Sequence, residues 1–316
     1  MSLLAHRKPI AKIIANPVTP PTLKSRLDYA QAAREFASSE LKLPDNKSYR
    51  SYVELKREAV VWNVFAAPEF SIAPKQWCFP VAGCVVYRGY FNESAAQQYA
   101  DALRTQGFDV AVAGAPAYST LGHFNDPLIS TMMQWSDTQI AATLFHELAH
   151  QMVYVKGDSA FNEAFATTVA DEGIKRWLQH RGTPDVLQKW QLQEQRANDF
   201  SQLLLQTREQ LRVIYAGKEP NERMREQKQQ VLSELKNAYS QLKLKWNGYA
   251  GYDKWFDRPL NNADFIAIAT YQQCVPGFEK LLHDVNDDLP RFYAAVKALA
   301  HQDKKTRQKL CETAIQ

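Results

Sequence analysis

The sequence has no long apolar run. No stretch reaches the roughly 18 consecutive apolar residues of a membrane-spanning helix, so none is expected. It has no GxGxxG, P-loop, GxSxG or EF-hand pattern, and so none of the chemistries those motifs carry. It has no strong excess of either charge: Lys+Arg 38 against Asp+Glu 34 gives +4, and no nucleic-acid partner is expected. Cysteine is sparse, with four in all and none in a CxxC pair, which argues against a zinc ribbon or thioredoxin-like motif. What is present is a full set of core formers. Apolar residues make up 45% of the 316, with 7 Trp, 14 Tyr and 15 Phe, so the chain as a whole is folded rather than disordered.

Cys78 and Cys84 lie in WCFPVAGC. They can close a short disulfide loop in an oxidising compartment, or sit as two small buried thiols. Cys274 and Cys311 are far apart, and the sequence assigns them no partner. The opening residues are too short and too broken by charge and proline for a signal h-region.

Two helices are expected over 20–58, the first opened by Pro21 and Thr22, the second over LPDNKSYRSYVELKREA. The runs 60–68, 84–91 and 108–115 are β-branched and aromatic and read as strands. A helix ended by Gly107 lies between the last two. From about 186 to 246 a leucine-striped polar stretch is interrupted by GKEPNER and reads as a helical hairpin, a solvated pair packed on the body or a partner-binding arm. The tail is again amphipathic helix.

The chemistry concentrates at FHELAHQ, residues 145–151. His146 and His150 are four apart, on one helix face, where both imidazoles can reach one Zn²⁺. Glu147 lies toward the same edge, as a general base would. Ser136 and Gln139 form a capping-box pattern for this helix. A second helix follows KGDS, capped by Asp158 or Ser159. With the first helix ending near Val155 and the second starting near Ala160, His150 and Glu163 both lie roughly 6–8 Å from the turn, at about 1.5 Å per residue. An antiparallel pair then brings them level, and Glu163 is the expected third ligand. Asp171 and Glu172 fall roughly 12 Å further along, too far for the same ion.

HELAHQ followed by NEAFA resembles the gluzincin metallopeptidases, with HExxH on one helix and NE on the next. That resemblance implies Glu163 as third ligand, preceded by Asn162. The 12 residues between His150 and Glu163 are fewer than the 18 or so usual there. Over nearly the whole chain, including LPDNKSYRSYVELKREAVVWNVFAAPEF and AYSTLGHFNDPLISTM, the sequence resembles a bacterial family named putative aminopeptidase. Members typically carry a secretory or lipoprotein-type leader. The resemblance therefore implies a periplasmic protein, meeting a membrane only through a lipid anchor, and favours a Cys78–Cys84 disulfide.

The expected architecture is α+β, predominantly helical: a zincin-like helix pair, a small mixed sheet and the long helical hairpin. One metallopeptidase-like unit is expected over 1–316, with N-terminal helices at 1–58, a zincin core at 59–182 and a C-terminal helical region at 183–316. The expected function is zinc-dependent hydrolysis of a peptide substrate, aminopeptidase-like. Zn²⁺ is held by His146, His150 and Glu163, Glu147 is the general base, and Tyr118 is the first choice of oxyanion donor, followed by His123 and Tyr154. Glu69 and Asp126 are candidate anchors for a substrate amine. Two rival readings are a non-catalytic metal-binding scaffold acting through the hairpin, and a zinc hydrolase of a cell-wall amide.

Overall fold

A computed structural model describes residues 6–55, 57–79, 83–115, 120, 124–217, 219–268 and 274–312. In chain order its elements begin with β1 (Lys8–Pro9), α1 (Ile10–Ala15), α2 (Pro21–Ser39), β2 (Ser51–Val53), β3 (Val61–Pro68), β4 (Trp77–Phe79), β5 (Gly83–Val85), β6 (Arg88–Tyr90), α3 (Glu93–Thr105), β7 (Phe108–Ala115) and β8 (Leu128–Ile129). They continue with α4 (Asp137–His150), α5 (Ser159–His180), α6 (Pro184–Ala216), α7 (Asn221–Lys245), α8 (Val275–Asp284), α9 (Leu289–Ala300) and α10 (Lys304–Glu312). The fold is α+β and predominantly helical, with small sheets of two or three strands, as expected.

The chain forms two compact units. One comprises Met1–Val61, Gly114–Leu187 and Gln273–Gln316; the other, Trp62–Ala113 and Gln188–Gln272. Each unit is assembled from stretches separated in the sequence.

In the first unit α2, α4 and α5 pack together around Phe36, Phe145 and Trp177. Phe165 of α5 meets Phe278 of α8 and Phe292 of α9. The strands β1, β2 and β8 form a small sheet, β2 pairing parallel to β8 through Tyr52–Leu128 and Val53–Ile129. The described residues of 43–59 are not the helix expected for them. Buried Arg34 of α2 donates to the carbonyls of Ser48 (3.0 Å), Pro44 (2.8 Å) and Asn46 (3.1 Å), which removes these acceptors from any helix. Tyr49 takes a left-handed φ of 63°, and the chain emerges extended as β2.

In the second unit the order is β6-β3-β7. Val64, Ala66 and Val110 on one face meet Ala96, Ala100 and Leu103 of α3, while Phe65, Ala67 and Ala111 on the other meet Ala263 and Ile266. The hairpin of α6 and α7 closes on its own aromatic core of Phe200, Tyr239 and Trp246, completed by Phe265. A pair between buried Lys228 and half-buried Asp109 (2.5 Å) joins α7 to β7. Both pairs of cysteines are bridged: Cys78–Cys84 across β4 and β5, and Cys274–Cys311 between the start of α8 and α10.

Candidate metal centre

The first helix of the site starts where the sequence indicates. The Ser136 hydroxyl accepts from the Gln139 amide (3.2 Å), and the Gln139 side chain accepts from the Ser136 amide (3.0 Å), a complete capping box. Ile140, Ala141, Leu144, Phe145 and Leu148 of α4 are buried, which leaves His146 and Glu147 half-buried on the other side.

The helix stops at His150 rather than near Val155. The cause lies in the next helix. The Asn162 side chain accepts from the Val155 amide (2.7 Å) and donates to the Val155 carbonyl (2.8 Å), bending 151–158 into a closed connection. Asp158 caps α5 by accepting from Phe161 (3.4 Å). Gln151, just past α4, accepts from Asn46 (2.7 Å). His150 is thus the last residue of one helix and Glu163 lies near the start of the next.

Three side chains converge there. His146 Nε2 is 3.1 Å from His150 Nε2, and Glu163 Oε2 is 3.2 Å and 3.4 Å from those two nitrogens. Among the described residues this is the group of three His, Cys, Asp or Glu that could hold a metal ion. The spacing fits one. Tetrahedral bonds of about 2.0–2.1 Å put ligand atoms about 3.3–3.4 Å apart, close to all three observed separations. Two imidazole nitrogens and one carboxylate oxygen are also the donor set that leaves a fourth position open. His150 Nδ1 is buried and has no hydrogen-bond partner among the described residues.

Charge and burial compete at the site. Burial pushes the Glu163 carboxyl up, but hydrogen bonds and charge from His146 and His150 outweigh it and hold the pKa at about 2. Burial lowers His150, and the hydrogen bond and charge of Glu163, with the charge of Glu147, reverse that to a net rise. Glu163 is therefore ionised across the neutral range, as a metal ligand must be.

Other expected residues fall differently. Tyr118 and His123 lie outside the described residues. Tyr154 is partly exposed; burial and then the charge of Glu163 raise its pKa. Glu172 pairs with Arg176 (2.7 Å) and Lys175 (3.3 Å), away from the group, in keeping with its distance along α5. The two candidate amine anchors both have partners within the chain. Glu69 binds Arg225 through both oxygens (2.7 and 3.0 Å), and buried Asp126 accepts from the Thr120 amide (2.9 Å) and hydroxyl (3.0 Å). Sequence patterns missed what holds the turn: Asn162 stood there only as the partner of Glu163 in the motif.

A model of the family described as "Putative aminopeptidase" matches residues 1–311. No curated protein and no solved structure matches the chain.

Proposed function

The chain belongs to the Putative aminopeptidase family, a description of peptide hydrolysis, and from there we propose a zinc-dependent peptidase of gluzincin type, centred on His146, His150 and Glu163. The observation that carries this reading is the convergence of two Nε2 atoms and one carboxylate oxygen within 3.1–3.4 Å of one another. Bound there, zinc would supply Lewis acidity to a scissile carbonyl and an attacking water.

The chain's own residues do the rest. Glu147, half-buried beside His146, takes the proton of the attacking water at its carboxylate and delivers it to the leaving amine. The Tyr154 hydroxyl, a phenol protonated at neutral pH, donates to the developing oxyanion. Asn162, Asp158 and Gln151 keep the two helix ends level, so the ligands are held before substrate arrives. The two disulfides agree with an oxidising compartment such as the periplasm.

The test is turnover of a peptide library, with free and with blocked N-termini, by wild type and Glu147→Gln. The expected result is cleavage lost by about a thousandfold in the variant with zinc retained. Zinc binding with no cleavage of any peptide by the wild type would favour the scaffold reading. Cleavage confined to cell-wall amides would favour the other rival.

A further inference from the structure

The C-terminal helix is tied to the start of α5 by contacts that the catalytic reading leaves unused. Arg307 of α10 donates from Nε to Asp158 Oδ2 (2.7 Å) and from Nη1 to the Gln302 carbonyl (2.5 Å), and its guanidinium lies over the Phe161 ring (5.8 Å). Both partners of this ion pair are buried. Asp158 is also the cap of α5, accepting from Phe161 through its other oxygen, five residues before Glu163. One carboxylate therefore holds the helix that presents the third ligand, and one arginine holds that carboxylate.

Two features fix Arg307 in turn. Cys311, four residues on, is bridged to Cys274 at the start of α8. At Gly277 a Cβ would lie 2.1 Å from the Leu310 carbonyl oxygen, so the backbones of α8 and α10 touch. Helix α8 also packs on α5, with Phe278 against Phe161 (5.0 Å) and Phe165 (6.2 Å). A nine-residue helix such as α10 is unstable alone, so its hold on Asp158 depends on this fastening.

We propose that Arg307 is a positioning residue for the metal centre, acting through Asp158 on the register of Glu163, and that the Cys274–Cys311 bridge keeps it in place. This deepens the proposed function and rests on it for the identity of the ion. Arg307 is the charged hydrogen-bond donor to Asp158 among the described residues, and a buried carboxylate that loses such a donor must find water or another partner. Asp158 meets that need by moving outward, and the first turn of α5 follows, taking Glu163 out of register with His146 and His150.

The experiment compares wild type, Arg307→Gln, Arg307→Lys and the pair Cys274→Ser with Cys311→Ser. Each is measured for Zn²⁺ affinity by competition with a chromophoric chelator, and for amide hydrogen exchange over residues 158–163. Arg307→Gln is expected to bind zinc about tenfold more weakly, with faster exchange at Phe161 to Glu163. Arg307→Lys, which keeps a charge opposite Asp158, should recover most of both. The serine pair should shift both in the direction of Arg307→Gln, by less. A lowered melting temperature with unchanged zinc affinity and unchanged exchange over 158–163 would overturn the proposal and leave a stability role. Should Arg307→Gln not fold, the lysine variant and the serine pair decide. Should wild type bind no zinc, the proposed function fails. The positioning role then stands or falls on whether exchange over 158–163 rises in the variants.

Discussion

Asn162 grips Val155 by both of its backbone groups, accepting from the amide at 2.7 Å and donating to the carbonyl at 2.8 Å. One buried side-chain amide thus closes the connection between the two helices of the centre, at the residue next to Glu163. Asn162→Ala removes both bonds and strands two backbone groups. The expected cost is about 2–4 kcal/mol, read by denaturant unfolding, with weaker zinc binding. A loss below about 1 kcal/mol with unchanged zinc affinity would show that the turn closes without it.

Tyr154 should matter to the chemical step. Tyr154→Phe keeps the ring and removes the donor, so kcat should fall about a hundredfold while KM changes little. A variant with full kcat would return the oxyanion role to Tyr118.

Gly173 of α5 packs closely against Phe145 of α4 and Leu41. A Cβ there would lie 2.8 Å from both Leu41 Cδ1 and Phe145 Cδ2, so these two fully buried side chains would have to shift. Alanine normally favours a helix over glycine, yet here Gly173→Ala should destabilise the protein by about 1–3 kcal/mol. A rise in melting temperature would show that the helices can part without cost.

The metal-free protein should have a stability maximum in mildly acidic solution. The folded-state pKa of Glu163 is depressed to about 2, so its contribution is present above the ordinary value of 4.5 and is lost as pH falls through about 2. The folded-state pKa of His150 is raised from 6.5, so its contribution is present below 6.5 and is lost as pH rises through the raised value. Urea unfolding of chelator-treated protein across this range tests both limbs. Glu163→Gln should flatten both. An unchanged profile in that variant would contradict the coupling.

Local signals in the sequence proved reliable. The Ser136 capping box, the Asp158 cap, the four-residue spacing of the histidines and the hairpin turn near Pro220 each depend on a few neighbouring residues, and each stands in the structure as expected. Long-range partners decided the rest. Helix α4 ends at His150 because Asn162, seven residues past Val155, claims the turn, and residues 44–48 leave the helix because Arg34 of the preceding helix claims the carbonyls of Pro44, Asn46 and Ser48. The bridge from Cys274 to Cys311 and the use of Glu69 by Arg225 are pairings across 37 and 156 residues, beyond any periodic pattern.

The most direct test of the central claim is the metal content per chain of protein purified without chelator or nickel resin, with wild type beside Glu163→Ala and Glu172→Ala. The proposed function predicts about one zinc per chain in wild type and Glu172→Ala and none in Glu163→Ala. No metal in wild type after zinc is added back, or loss in Glu172→Ala alone, would contradict it.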